Sequence, residues 1–161
     1  MSQPGSAPRL SLRRCSPSEP DVRRLLDFHH KQMIAQSPPG RAYPLELSAY
    51  EDPALELWAA EVEGEVAAVG AVRMLDSERA ELKSMRTSPA HLRRGAARAV
   101  LEELVKAARR RGARIVSLET GSGSLFEPAA RMYRTFGFEP GPAFGDYSAT
   151  DFNRFFHLPL E

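Results

Sequence analysis

Along the chain the spacing of apolar residues changes several times, and each change marks an element. Arg9-Leu10-Ser11-Leu12-Arg13 alternates with period two, as a half-buried strand does, and Pro17 and Pro20 then break the run. From Asp21, the positions Val22, Leu25, Leu26, His29 and Met33 recur at spacings of three and four. They define an amphipathic helix that stops before Ser37-Pro38-Pro39-Gly40, and a short helical stretch is expected near residues 45–50. Residues 55–62 and 65–75 are Val/Ala-rich runs separated by Glu63-Gly64, a tight hairpin signal. A turn at Asp76-Ser77-Glu78 leads to a third run, 79–87, which Ser88-Pro89 ends. Ala97, Val100, Leu101, Leu104, Val105 and Ala108 form the strongest helical stripe, within 94–111 and closed by Gly112. Residues 115–118 read as a strand, and Pro128 opens a helix to about Phe136 that Gly137 caps. A strand at Phe138 and a terminal run, 154–160, complete the series.

The predicted order is β-α-(α)-β-β-β-α-β-α-β-β. It implies an α/β domain of the α+β kind, with a mixed, mostly antiparallel central sheet flanked by helices. Residues 79–118 form a strand-helix-strand unit, whose strands should pair in parallel through a right-handed crossover. Residues 9–161 read as one domain, and the Ser/Pro/Gly-rich residues 1–8 as a flexible tail.

Composition narrows the class. With 161 residues, 42% of them hydrophobic, the chain can bury a core without disulfides or metals, and Cys15 is its only cysteine. Four scattered histidines offer no metal-ligand spacing, so no metal is expected; His29 reads as a core residue, His30 and His91 as solvated. There is no signal sequence and no apolar run long enough for a membrane span, so a cytoplasmic protein without membrane or nucleic-acid partners is expected. The formal charge of +1 is unevenly spread. Between Arg93 and Arg114 eight basic residues face two acidic ones, leaving +6 there and −5 elsewhere.

That basic segment begins where chemistry is expected. Ser88-Pro89-Ala90-His91-Leu92-Arg93-Arg94-Gly95-Ala96-Ala97 joins a strand to the longest helix. A helix start leaves backbone N–H groups unpaired and carries positive potential, and small residues let an anion approach it. No Lys-Ser/Thr follows, so it is not a Walker loop.

The run Ala80-Glu81-Leu82-Lys83-Ser84-Met85-Arg86-Thr87-Ser88-Pro89, followed by Arg93-Arg94-Gly95-Ala96-Ala97-Arg98, resembles the acetyl-coenzyme A motif of the GNAT superfamily of N-acetyltransferases. Ala129-Ala130-Arg131-Met132-Tyr133-Arg134-Thr135-Phe136-Gly137-Phe138 is similar to its second motif. Within the superfamily the chain is most similar to small bacterial acetyltransferases with Glu-Leu-Lys-x-Met-Arg-Thr and a late Gly-Pro-x-x-x-Asp-Tyr segment, here Glu81–Thr87 and Gly141–Tyr147. Two family positions differ: Leu92 stands where Gln or Arg is usual, and Phe126 where Asn is frequent.

The resemblance implies an acetyl-coenzyme A (acetyl-CoA) dependent N-acetyltransferase acting on a primary amine of a small molecule or protein, by direct attack in a ternary complex. It implies cofactor contacts from Met85, Arg86, Thr87, Arg93, Arg94, Gly95, Ala96, Ala97, Arg98 and Tyr133. A strand ending at Thr87 and splayed from its neighbour would offer backbone to the pantetheine amides, and the Met85 N–H would polarise the thioester carbonyl. Tyr133 is the expected general acid and Glu81 the first candidate for general base, with Glu119 as the alternative and Asp146 a third. His29, Lys83, Glu119, Asp146 and Tyr147 are the expected acceptor-side residues. Lys83, Arg86 and Arg41 hint at a substrate carboxylate or phosphate. Two other readings remain: a catalytically silent acyl-CoA binding domain, and nucleic-acid binding through the basic helix. A homodimer is possible within any of them.

Overall fold

A computed structural model describes residues 9–161, so the tail assigned to residues 1–8 lies outside the described residues. The elements follow the predicted order: β1 (Leu10–Arg14), α1 (Pro20–Ala35), a 3-10 turn (Leu47–Glu51), β2 (Leu55–Val62), β3 (Glu65–Met74), β4 (Arg79–Thr87), a second 3-10 turn (Pro89–His91), α2 (Ala96–Arg110), β5 (Ile115–Gly121), α3 (Glu127–Phe136), β6 (Glu139–Pro140) and β7 (Asn153–Pro159). The strands form one sheet in the order β1-β2-β3-β4-β5-β7-β6. Among the described residues only β4 and β5 run parallel, as their joining through α2 requires; the other neighbours are antiparallel.

Three layers result. Val100, Leu101, Leu104 and Val105 of α2, with Ala130 and Tyr133 of α3, pack on the sheet face carrying Val72, Ala80, Leu82, Val116 and Leu118. Val22, Leu25 and Leu26 of α1 cover the other face at Leu55, Leu57, Ala59, Val69 and Ala71. The β2–β3 hairpin turns at Glu63 and Gly64, both at positive φ (54° and 81°), the type I′ geometry that twists with the strands. Among the described residues no helix is long and apolar enough to cross a membrane.

Several boundaries differ from the sequence reading for physical reasons. The helix expected from Arg94 begins at Ala96, because Arg93 (φ 62°) and Gly95 (φ 79°) are left-handed. Strand β5 runs three residues past Leu118, since Glu119–Gly121 pair with Asn153–Phe155 of β7, a long-range ladder no local pattern reports. The last small strand falls on Glu139–Pro140, while Phe138 is buried in the core. The expected half-burial of β1 does not hold: it is an edge strand, and Leu10 and Leu12 are both exposed. His91, expected in solvent, is buried and pairs through Nε2 with Glu65 Oε2 at 3.0 Å. The 3-10 turn after β4 folds it back onto the start of β3.

Candidate active site

Strands β4 and β5 pair only from Arg79–Leu82 to Ile115–Leu118, after which the sheet splits. Beyond Leu82, β4 keeps its pairing to β3, so its other edge is left open toward the gap. Within the same stretch β4 carries a bulge: Val69 faces Arg86 and Ala71 faces Lys83, so Gly70 alone opposes both Ser84 and Met85. Ser84 takes the strain at φ 61°. A strand alternates faces residue by residue, so one extra residue reverses the facing of everything after it. Met85 therefore turns to α2, its sulfur lying against Gly70, while Arg86 joins Lys83 on the α1 face, where its Nε donates to His29 Nδ1 at 3.0 Å.

The split opens a cavity of about 120 Å³. Lys83, Ser84, Met85 and Arg86 of β4 form one wall and Leu118, Glu119 and Thr120 of β5 the other, with His29 and Met33 of α1 above and Phe126, just before α3, with Ala129 and Tyr133 of α3 below. Glu119 is the acid facing this space. Burial raises its carboxyl to about 7, although Lys83 and a hydrogen bond donated by Asn153 Nδ2 to Oε2 pull the other way. Burial, with the charges of Arg86 and Lys83, holds the His29 ring down at about 3. His29 is thus neutral, and because Arg86 can only donate, its proton sits on Nε2.

Glu81 is placed differently. It is fully buried, Oε1 accepts from Arg73 Nε at 2.9 Å and Nη2 at 2.8 Å, and Oε2 accepts from the Tyr147 hydroxyl. Lys83 Nζ donates to that hydroxyl at 2.9 Å and to the Tyr43 carbonyl at 2.6 Å, and burial lowers its pKa. Edge-on contacts of Tyr147 with Tyr43 and Phe144, at 5.2 and 5.1 Å, fix the late loop over this network.

At the far end of the split lies the start of α2. Its first turn has no side-chain cap, the small residues Ala96 and Ala97 follow Gly95, and a Cβ on Gly95 would meet nothing within 4 Å. Open backbone N–H groups, a left-handed glycine and the exposed Arg93 and Arg94 form a cradle that fits a pyrophosphate. Among the described residues no three His, Cys, Asp or Glu side chains gather to hold a metal ion.

A family model described as "Acetyltransferase (GNAT) family" matches residues 22–138. The chain belongs to the GNAT family of acetyltransferases. It is 42% identical over 123 residues to the uncharacterized N-acetyltransferase YsnE of Bacillus subtilis, covering 76% of this chain and 82% of that one. It is 34% identical over 143 residues to the uncharacterized N-acetyltransferase YedL of Escherichia coli, covering 89% and 90%. YncA of Salmonella typhimurium, solved with its cofactor acetyl-CoA, shares the fold at a TM-score of 0.71 and 18% identity, over 94% of each chain. The protein is therefore a GNAT acyltransferase.

Among the residues singled out from sequence, Met85, Arg86, Tyr133, His29, Lys83 and Glu119 meet around the cavity. Thr87 ends the open strand, and Arg93, Arg94, Gly95, Ala96, Ala97 and Arg98 form the α2 cradle. Asp146 stands apart: it is exposed, and with Glu81 and Tyr147 it borders a second depression that shares Lys83, Tyr43 and Pro44 with the cavity. Leu92 is 60% exposed and offers no hydrogen bond at the family's usual Gln or Arg position. Phe126 packs edge-on against Phe152 at 5.4 Å and walls the cavity. Two contributors escaped the sequence reading. Arg73 is legible by counting outward from the Asp76–Glu78 turn, which sets it opposite Glu81; Asn153 is not, because the β5–β7 register is long-range.

Proposed function

We propose that this GNAT enzyme transfers the acetyl group of acetyl-CoA to a primary amine by direct attack in a ternary complex, with Glu119 as the general base. Bound along the split, acetyl-CoA supplies a thioester whose C–S bond breaks as the C–N bond forms, coenzyme A leaving as the thiol. The open edge of β4 from Met85 to Thr87 holds the pantetheine amides, and the α2 cradle holds the pyrophosphate. The Met85 N–H donates to the thioester oxygen.

An alkyl ammonium, with a pKa near 10, must lose a proton before it attacks. The observation that carries the assignment is the carboxyl of Glu119, facing the cavity with a pKa of about 7, high enough to accept that proton near neutral pH. Glu81 is a weaker candidate than its sequence position suggests, because both its oxygens are engaged and Arg73 matches its charge. Its role here is to anchor Tyr147 and, through it, Lys83. Tyr133 is buried at the cavity wall and desolvation raises its phenol pKa, so it stays protonated and serves as a hydrogen-bond donor to the departing sulfur.

Calorimetry with acetyl-CoA, followed by a thiol-release assay over an amine panel, tests the reading. Saturable binding and amine-dependent thiol release are expected. Binding without release for any amine would favour the silent acyl-CoA binding domain.

A further inference from the structure

Two half-buried cations, Lys83 and Arg86, line the cavity without an ion pair. Lys83 donates only to a carbonyl and a phenol, and Arg86 Nε donates to a neutral imidazole. Among the described residues, neither forms an ion pair. The nearby carboxylates Glu81 and Glu119 act on Lys83 through space, without an ion pair. Glu81 is matched by Arg73, and His29 is neutral. Glu119 is bonded to Asn153 and stands on the β5 wall. Burial works against the charge on both Lys83 and Arg86. Withdrawing a cation even partly from water without pairing it is costly, so such a pair is informative about what enters the site.

The arrangement is also bipolar, with cations on the β4 wall and a carboxyl on the β5 wall. Resting on the acetyl-transfer reading above, we infer that the acceptor is a free amino carboxylate of amino-acid type. Its carboxylate is held by Lys83 and the Arg86 guanidinium, and its amine lies against Glu119. A monoanion on the β4 wall and an ammonium on the β5 wall leave one net positive charge, where the empty cavity carries one positive excess of its own. A protein lysine or a polyamine would bring more positive charge to Lys83 and Arg86. The space, about 120 Å³, suits a small molecule. Arg86 reaches this wall only because the β4 bulge reverses its facing, so the pairing with Lys83 depends on the strain held at Ser84. The transfer balances: the ammonium gives one proton to Glu119, nitrogen bonds to the acetyl carbon as the C–S bond breaks, and the second proton leaves with the thiol.

The test is a thiol-release assay on the full chain with acetyl-CoA and the twenty standard amino acids, each beside its carboxamide, together with putrescine and phosphoethanolamine. At least one amino acid should exceed its carboxamide in kcat/KM by about tenfold or more, the size expected of a lost charge-assisted contact. In Arg86→Met and separately in Lys83→Met, that ratio should collapse toward one, through KM of the amino acid more than kcat. Thermal unfolding and acetyl-CoA calorimetry report whether each variant is folded, and two variants guard against one failing. Carboxamides, putrescine or phosphoethanolamine turned over as well as any amino acid would overturn this inference and leave the transferase reading standing. Acetyl-CoA binding with no thiol release for any amine would overturn both.

Discussion

Glu81 and Glu119 are the same side chain on adjacent parallel strands, and their surroundings give them opposite characters. A guanidinium and a phenol occupy Glu81, whereas Glu119 faces a cavity whose desolvation outweighs the opposing pull of Lys83 and Asn153. Glu119→Gln should therefore lower kcat/KM by about 10²- to 10⁴-fold, the usual contribution of a positioned base, with acetyl-CoA affinity by calorimetry nearly unchanged. The sign of the pH dependence follows from the raised pKa. As pH falls through about 7, Glu119 takes up a proton and can no longer accept one, so kcat/KM should drop tenfold per pH unit below that point. The glutamine variant should lose this limb. Tyr133 packs edge-on against Phe138, and a phenylalanine preserves that contact while removing the hydroxyl. Tyr133→Phe should then reduce turnover far more than acetyl-CoA affinity; full turnover would remove Tyr133 from the proposed chemistry.

At the scale of elements, two glycines make the site possible by different means. Gly70 sits under α2: a Cβ there would lie 2.4 Å from the Met85 sulfur and under 3 Å from Val100 and Leu104. Gly70→Val should destabilise the fold by about 1–3 kcal/mol through overpacking, read as a lowered thermal midpoint, because the helix must back away from the bulge it covers. Gly95 has open space around it but a left-handed backbone. Gly95→Ala should cost about 1–2 kcal/mol for its φ alone. Gly95→Glu should in addition abolish acetyl-CoA binding, since bulk and negative charge would enter the cradle, and calorimetry separates the two effects.

Across the whole molecule the positive excess between Arg93 and Arg114 is less concentrated than its count suggests. Arg111 is committed to Glu56, Arg110 to Glu103, Arg98 to Glu102, and Arg109 to the carbonyl of Glu161. These contacts tie the middle and end of α2 to itself, to β2 and to the last residue. Arg93 and Arg94, exposed at the start of α2, form no ion pair among the described residues, and neither does Lys106 further along the helix, so two of these three unpaired charges stand at the cradle. Acetyl-CoA affinity should weaken as salt is raised past the point where the Debye length falls below about 10 Å. A double Arg93→Gln, Arg94→Gln variant should show a shallower salt dependence, whereas Arg109→Gln should leave the slope as it is.

Element order, the I′ hairpin at Glu63-Gly64, the β4–α2 junction and the family were all legible in the sequence, because each rests on local periodicity, turn chemistry or a short motif. Met85, Tyr133 and the α2 cradle were legible for the same reason. Which carboxylate faces the cavity was not: Glu81 and Glu119 are distinguished by Arg73 across one strand pair and Asn153 across another, and register between distant strands leaves no local mark. Nor was the facing of Arg86, which a single extra residue in β4 reverses. Sequence determined which groups the chain carries to the site; the split of β4 from β5 and the bulge beside it decided which of them meet, because side-chain direction in a strand depends on register and not on residue type.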